Sequence, residues 1–153
     1  MKIIIATHDF YFQQGAEVLF NSCEALGVEH FNSEKETYFI ICDNEFAGLI
    51  SILFYGYDFY LACKSEPCNM KHGSCLNDQD KSLTHNERII AFLLYYKHFS
   101  VEQIARVRGR SKKTVYSHIY NIKKKIGLKN GMHLPFKSNG IDRNAFFELI
   151  FPI

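Results

Sequence analysis

Between Arg106 and Lys125 the chain gathers the residues best suited to work on a polyanion. They are Arg106, Arg108, Arg110, Lys112, Lys113, Lys123, Lys124 and Lys125, interleaved with Tyr116, Ser117 and Tyr120. Cations at this density neutralise phosphates, which positions a protein on a nucleic acid without reading its sequence. On that reading Arg106, Arg108, Arg110, Lys112, Lys123, Lys124 and Lys125 are phosphate-contact candidates. Lys113, Tyr116, Ser117 and Tyr120 are the base-edge candidates, because an ammonium donates to guanine acceptors and a hydroxyl serves either base partner. The competing reading is an ordinary solvated helix face.

A second constellation, Cys63, Cys68, His72 and Cys75, assembles four soft donors. Thiolates and an imidazole can close a tetrahedral shell around Zn²⁺ or hold an iron–sulfur cluster. The spacing C-x4-C…H-x2-C fits no strong metal template, so ordinary thiols are expected, with no metal and no cofactor. A thiol or metal sensor is the competing reading. Cys23 and Cys42 lie in apolar runs and read as core. A phosphate-cradling Gly-rich loop with Lys, a nucleophile elbow and a His-Glu-x-x-His pair are all missing from the sequence, so an enzyme is not expected.

The cationic residues need a rigid carrier, and local signals supply one. Thr84 followed by Glu87 spells a capping box that opens a helix to about Lys97, and Ser100 with Gln103 opens a second to about Val107. Arg108-Gly109-Arg110 is a turn. Ser111 caps a third helix that runs to Ile126 and stops at Gly127. At about 100° per residue, Val115, Ile119, Ile122 and Ile126 share one stripe, which predicts the buried face. Lys113, Tyr116, Ser117, Tyr120 and Lys124 fall opposite. His118 falls nearer the buried stripe, as a packing or phosphate-bonding residue.

Upstream, Lys2–Ala6, Tyr38–Cys42 and Tyr57–Cys63 read as strands, with a short one expected at Val28–Phe31. Asp9–Leu26 reads as a helix with Phe12, Ala16, Leu19 and Phe20 on its core side, and Phe46–Phe54 as another. Alternating strands and helices predict a small parallel α/β sheet. Phe46–Ala62 is nearly long enough to span a bilayer, but Gly56 and Asp58 interrupt it, so a buried helix and a strand are expected and no membrane. Lys64–Lys81 is polar and turn-rich and reads as a linker. A loop at 131–140 precedes a last helix, Ile141–Phe151, with Phe146, Leu149 and Ile150 in a stripe that fits core or dimer face.

Charge divides the chain at the same place. Met1–Asn77 carries four lysines against ten carboxylates, a net of −6, and Asp78–Ile153 fourteen cations against six, a net of +8. That split predicts two units, of which the second meets a polyanion. With hydrophobic residues at 47% the chain folds instead of staying disordered. Five cysteines and no secretory signal predict a reducing cytoplasm.

At Leu83-Thr84, Glu87, Ser100, Ile104-Ala105, Ser111, Thr114-Val115, His118, Asn121-Ile122, Lys125 and Gly127 the chain resembles the LuxR-type (FixJ/NarL-type) DNA-binding domain of bacterial transcription regulators. The resemblance implies an all-α, four-helix helix-turn-helix domain at 82–153, whose third helix enters the major groove of double-stranded DNA and whose fourth often supports dimerisation. Tyr116 and Tyr120 stand where the family usually has lysine. The spacing from Glu87 to Ser100 is one residue longer than usual, a length also seen in sigma-factor region 4, which keeps that relation open. Residues 1–63 resemble a shortened, degenerate response-regulator receiver, an α/β domain joined through the linker at 64–81. Asp43 stands at the phospho-acceptor position, but Thr7-His8 replace the paired metal-binding acids and no late-strand lysine is evident. Asp43 is therefore expected as a turn residue, and phosphorylation is not. The expected protein is a sequence-specific transcription regulator, a homodimer or a heterodimer with another regulator. The alternative is a partner-dependent co-regulator that binds DNA poorly alone.

Overall fold

The computed structural model describes residues 2–32, 36–73 and 82–126. The loop and helix expected at 131–151 lie outside these residues. The N-terminal part is a five-stranded sheet, and a helical region follows it. In chain order the elements are β1 (Lys2–Ala6), α1 (Phe10–Leu19), β2 (Cys23–Ala25), β3 (Thr37–Cys42), α2 (Ala47–Leu53), β4 (Asp58–Cys63), β5 (Glu66–Gly73), α3 (His85–Ala91), α4 (Val101–Arg108) and α5 (Lys112–Ile126). The sheet order is β2-β1-β3-β4-β5, with every pair parallel except the last. This is the strand order of one common doubly wound α/β sheet with its fifth strand reversed.

The strands form where β-branched and aromatic residues can be covered. Ile4, Ile5, Ile40, Phe59 and Leu61 are all buried. Strand β3 alternates half-buried and buried positions along its whole length, as a strand with unequal faces does. Phe46–Ala62 divides as its glycine and aspartate predict, into buried α2 and strand β4. No helix among the described residues is long and apolar enough to cross a membrane.

Three expectations are corrected. The helix read over Asp9–Leu26 stops at Leu19, and Cys23–Ala25 becomes a strand instead. Asn21-Ser22 break the helix there, and β1 has an open edge that pairs Ile3, Ile4 and Ile5 with Cys23, Glu24 and Ala25. Of the four positions assigned to the core side of α1, only Ala16 is buried. Val28–Asn32 is a 3-10 turn and not a strand. Long-range hydrogen bonds tie it down: the Tyr38 hydroxyl donates to the His30 carbonyl at 3.0 Å and the Tyr57 hydroxyl to the Phe31 carbonyl at 3.1 Å. The buried His30 ring closes the turn, taking the Gly27 N–H at 3.0 Å and meeting Glu24 at 2.8 Å. Finally, the segment expected as a linker begins with β5, which folds back on β4 as a hairpin. Asp58 clamps it, meeting His72 Nε2 at 2.7 Å and accepting from the Thr37 hydroxyl at 2.9 Å.

The two halves share one core. Buried residues run without a break from Ile4 and Phe54 through Phe92 and Tyr96 to Val115 and Ile122. Helix α3 is the seam. Its Arg88, only 4% exposed, donates from Nε to the Leu83 carbonyl at 3.0 Å, from Nη1 to the Leu53 carbonyl at 2.6 Å and from Nη2 to the Tyr55 carbonyl at 2.9 Å. Those last two carbonyls lie at the C-terminal end of α2, where the helix leaves its acceptors unpaired and its dipole is negative. The guanidinium also lies over the Tyr57 ring, 4.5 Å from its centroid. Beyond Ala91 the helix widens into a π-type turn, Phe92–Tyr96, in which the Lys97 N–H reaches the Phe92 carbonyl. That turn delivers Tyr96 to the sheet, where its hydroxyl donates to the Thr7 carbonyl at 3.2 Å and its ring meets His8 and Phe46.

Candidate nucleic-acid interface

Helices α4 and α5 form the helix-turn-helix, and local chemistry explains each junction. Ser100 and Gln103 make the reciprocal capping box that opens α4. Gly109 closes it in the left-handed region (φ 61°), with the Arg110 N–H returning to the Ala105 carbonyl at 2.9 Å. Such a six-to-one closure favours glycine, which has no Cβ to clash there. Ser111 then caps α5, its hydroxyl accepting the Thr114 N–H at 3.2 Å. At Thr84 only half of the expected box forms. The Thr84 hydroxyl accepts the Glu87 N–H, but the Glu87 carboxylate turns away to Lys125.

The helical wheel of α5 follows its sequence pattern as far as Ile122, and the Ile126 side chain lies outside the described residues. Val115, Ile119 and Ile122 are buried against α3 and α4, and His118 is half-buried. Lys113, Tyr116, Ser117, Tyr120 and Lys124 are exposed together on the other side. Tyr116 at 59% and Tyr120 at 52% exposure are large rings left more than half open to solvent. The Ser117 hydroxyl donates to the Lys113 carbonyl at 3.0 Å, which leaves its lone pairs outward to accept. Arg106, Arg108, Arg110 and Lys112 are exposed around the turn, so cations flank both the turn and the far end of this exposed face.

The basic residues are not equivalent. Lys125 lies only 27% exposed with its ammonium 2.9 Å from the nearly buried Glu87 carboxylate and 3.3 Å from the Ser82 carbonyl. It braces α5 against α3, in a cleft that Lys124 and Asn121 also line. The second Glu87 oxygen has no partner among the described residues. Lys112 meets Glu102 at 2.7 Å across the turn, which holds that carboxyl below its usual range. Both groups are well exposed, so the pair opens at little cost when a phosphate approaches. Arg108 donates to Asn86 at 3.4 Å.

The C-terminal ends of β1, β3 and β4 meet at a second polar cluster, the switch point where doubly wound sheets commonly bind ligands. Here it is closed by internal pairs. Asp43 accepts from the Thr7 hydroxyl at 2.7 Å and from the His8 N–H at 3.2 Å. Lys64, which follows β4, meets Asp9 at 2.8 Å and covers the Phe12 ring. Sequence reasoning found Asp43 and missed Lys64, because only the sheet brings residues 9 and 64 together.

Of the cysteine constellation only the Cys63 and His72 side chains fall among the described residues. His72 is held by Asp58 and stacks on Tyr60, Cys63 stands beside Cys42 in the β3–β4 register, Cys68 is a residue of β5, and Cys75 lies outside the described residues. The Cys63 thiol beside it, together with burial, pushes the Cys42 thiol far above its ordinary range, which makes it a poor nucleophile. Among the described residues no group of three metal-ligating side chains forms.

No curated protein and no solved structure matches the chain. Residues 86–126, from the first turn of α3 to the end of α5, match the family model for Sigma-70, region 4, a helix-turn-helix DNA-binding fold shared with LuxR-type regulators.

Proposed function

We propose that this protein is a sequence-specific transcription regulator that binds double-stranded DNA by laying α5 in the major groove. The observation that carries the reading is the exposed face of α5, two uncovered tyrosines among lysines on a helix whose other face is locked into the core. Lys113, Tyr116, Ser117 and Tyr120 read base edges. Arg106, Arg108, Arg110, Lys112, Lys123 and Lys124 hold phosphates, and Lys125 is excluded because its ammonium serves Glu87. Six such contacts make log affinity fall with log salt at a slope of about −5 per protomer. DNA binding of this kind works without phosphorylation, since Asp43 already has both oxygens engaged by Thr7 and His8.

Gel-shift binding to genomic fragments across a salt series tests this. Tight binding to a few fragments that survives competitor DNA and is lost in Tyr120→Ala is the expected result. Weak, salt-erased binding to every fragment overturns it. That outcome favours a partner-dependent co-regulator, for which tyrosines at two positions usually held by lysine in LuxR-type domains are the motivating feature.

A further inference from the structure

Cys42 ends β3 and Cys63 ends β4, and the parallel register sets them directly opposite each other. Residues paired in this way point to the same face of a sheet. Here it is the face that carries Tyr38, Ile40, Phe59 and Leu61 into the core. The two thiols meet in a hydrogen bond. Cys42 has no exposure, whereas Cys63 is half-buried and open to a small reagent. Cys23 lies on β2, two strands from Cys42 across β1, too far to join either thiol.

The spacing suits a bond that can both form and break. Neighbouring strands run about 4.8 Å apart, within the roughly 4.4–6.8 Å between Cα atoms that a disulfide spans. The Cβ atoms of such a pair start about 1 Å farther apart than the ~3.8 Å of a relaxed bond. Closing it draws two strand ends together, and the β4–β5 register already slips between Leu61 and Cys63, where the backbone can give. Strained disulfides are the readily reduced ones. In reducing compartments, disulfides of this kind are transient and often sense oxidants.

The bond would pull on the anchor between the two halves. Asp43 follows Cys42 and accepts from the Thr7 hydroxyl, and the Thr7 carbonyl accepts from the Tyr96 hydroxyl. Burial first, then the neighbouring Asp43 and Cys42, push that phenol well above its ordinary range, so Tyr96 stands close to the thiol pair.

We propose that Cys42 and Cys63 are a peroxide-sensing pair, joined by oxidation into a reversible disulfide that shifts the Tyr96 anchor. The Cys63 thiolate attacks one oxygen of hydrogen peroxide, the O–O bond breaks, and hydroxide leaves a sulfenic acid on Cys63. The Cys42 sulfur attacks the Cys63 sulfur, the S–O bond breaks, and the Cys42 proton departs with that hydroxide as water. Contact offsets the weak nucleophilicity of Cys42, because no encounter is needed. In sum two thiols lose two hydrogens and one hydrogen peroxide becomes two waters.

The test treats the reduced full chain with a small excess of hydrogen peroxide, blocks remaining thiols with iodoacetamide and maps the peptides by mass. A peptide pair joining Cys42 to Cys63 should be the main product, and dithiothreitol should abolish it. Cys63→Ser should lose it, and Cys23→Ser should keep it. Cys42→Ala should stop the reaction at a Cys63 sulfenic acid that dimedone captures. In the oxidised wild type the amides of Phe92–Tyr96 should exchange hydrogen at rates several-fold different from the reduced protein. Oxidation that joins Cys63 mainly to Cys68 or Cys75, or that leaves Cys42 unjoined, overturns the proposal. A Cys42–Cys63 bond that leaves exchange at Phe92–Tyr96 unchanged overturns the switch.

Discussion

Helices α1 and α5 both turn tyrosines to solvent, and they differ in what surrounds them. On α5, Tyr116 and Tyr120 stand among Lys113, Lys123 and Lys124. On α1, Tyr11 stands among Val18, Leu19 and Gly15, with no cation on the helix. An exposed ring ringed by ammonium groups suits a polyanion that carries flat bases. The same ring among aliphatic side chains suits another apolar surface. The difference extends to the side behind each face. Helix α5 is anchored by three buried aliphatic residues, whereas α1 buries only Ala16. The exposed face of α5 therefore has a rigid backing, and that of α1 has little.

The sharpest way to break this comparison is to charge the two sides of α5 in turn. Val115→Asp buries an unpaired carboxylate at a position with no exposure, and should lower stability by about 4 kcal/mol and abolish DNA binding together. Its neighbour Tyr116→Asp should leave the unfolding midpoint within about 0.5 kcal/mol of wild type, yet weaken DNA binding strongly by repelling phosphate. Chemical denaturation beside gel shift separates the two.

Next in size is the seam. Arg88→Met strands the Leu53, Leu83 and Tyr55 carbonyls and should cost about 3 kcal/mol in urea denaturation. Both halves should still unfold together, with tyrosine fluorescence and far-ultraviolet dichroism tracing one transition. Two separate transitions would refute the common core.

Smaller effects sharpen the assignment of the reading face. Lys113→Ala or Tyr120→Ala should each lose about 2 kcal/mol on a specific site and much less on random DNA. Equal losses on both would remove the base-contact roles. Lys124→Gln should instead flatten the salt slope by about 1. Lys125→Gln should leave that slope alone and destabilise the fold by about 1 kcal/mol, because it leaves the Glu87 carboxylate without its cation. An equal change of slope in both variants would erase the distinction drawn between these adjacent lysines.

The least effect is expected from acid at the hairpin. His72 and Thr37 hold the Asp58 carboxyl below its ordinary range. Its contribution is therefore complete above the unfolded value of about 3.9 and disappears as pH falls through the lower folded value. Asp58→Asn should remove that segment of the acid titration of stability and lower the plateau at neutral pH by the same small amount.

How much of this was legible in the chain follows from how far apart the partners lie. The α4–turn–α5 unit is written in neighbours. Ser100 with Gln103, Gly109, Ser111 with Thr114 and the stripe from Val115 to Ile122 each act within a few residues. The sheet strands with β-branched runs were readable for the same reason. Strand β2 was not, because Cys-Glu-Ala has little strand preference and forms only where β1 offers an edge. Nor was Arg88, whose acceptors lie more than thirty residues upstream. Lys123, Lys124 and Lys125 look alike in sequence, and only the angle of the helix sends the third inward to Glu87. Leu19 and Phe20, read as core, are exposed, since periodicity marks an apolar side without saying what covers it.

The seam at α3 has a consequence for how such a chain could be rearranged. Many DNA-reading modules hang from their sensors by a tether and can be cut free or exchanged. Here Tyr96 is bonded into the sheet at Thr7, and Arg88 closes the end of α2. A break between the halves would expose Phe92 and Tyr96 on one piece and open carbonyls on the other. Helix α5 is therefore inherited with its sheet, and recombination would have to pass the two on as a single unit.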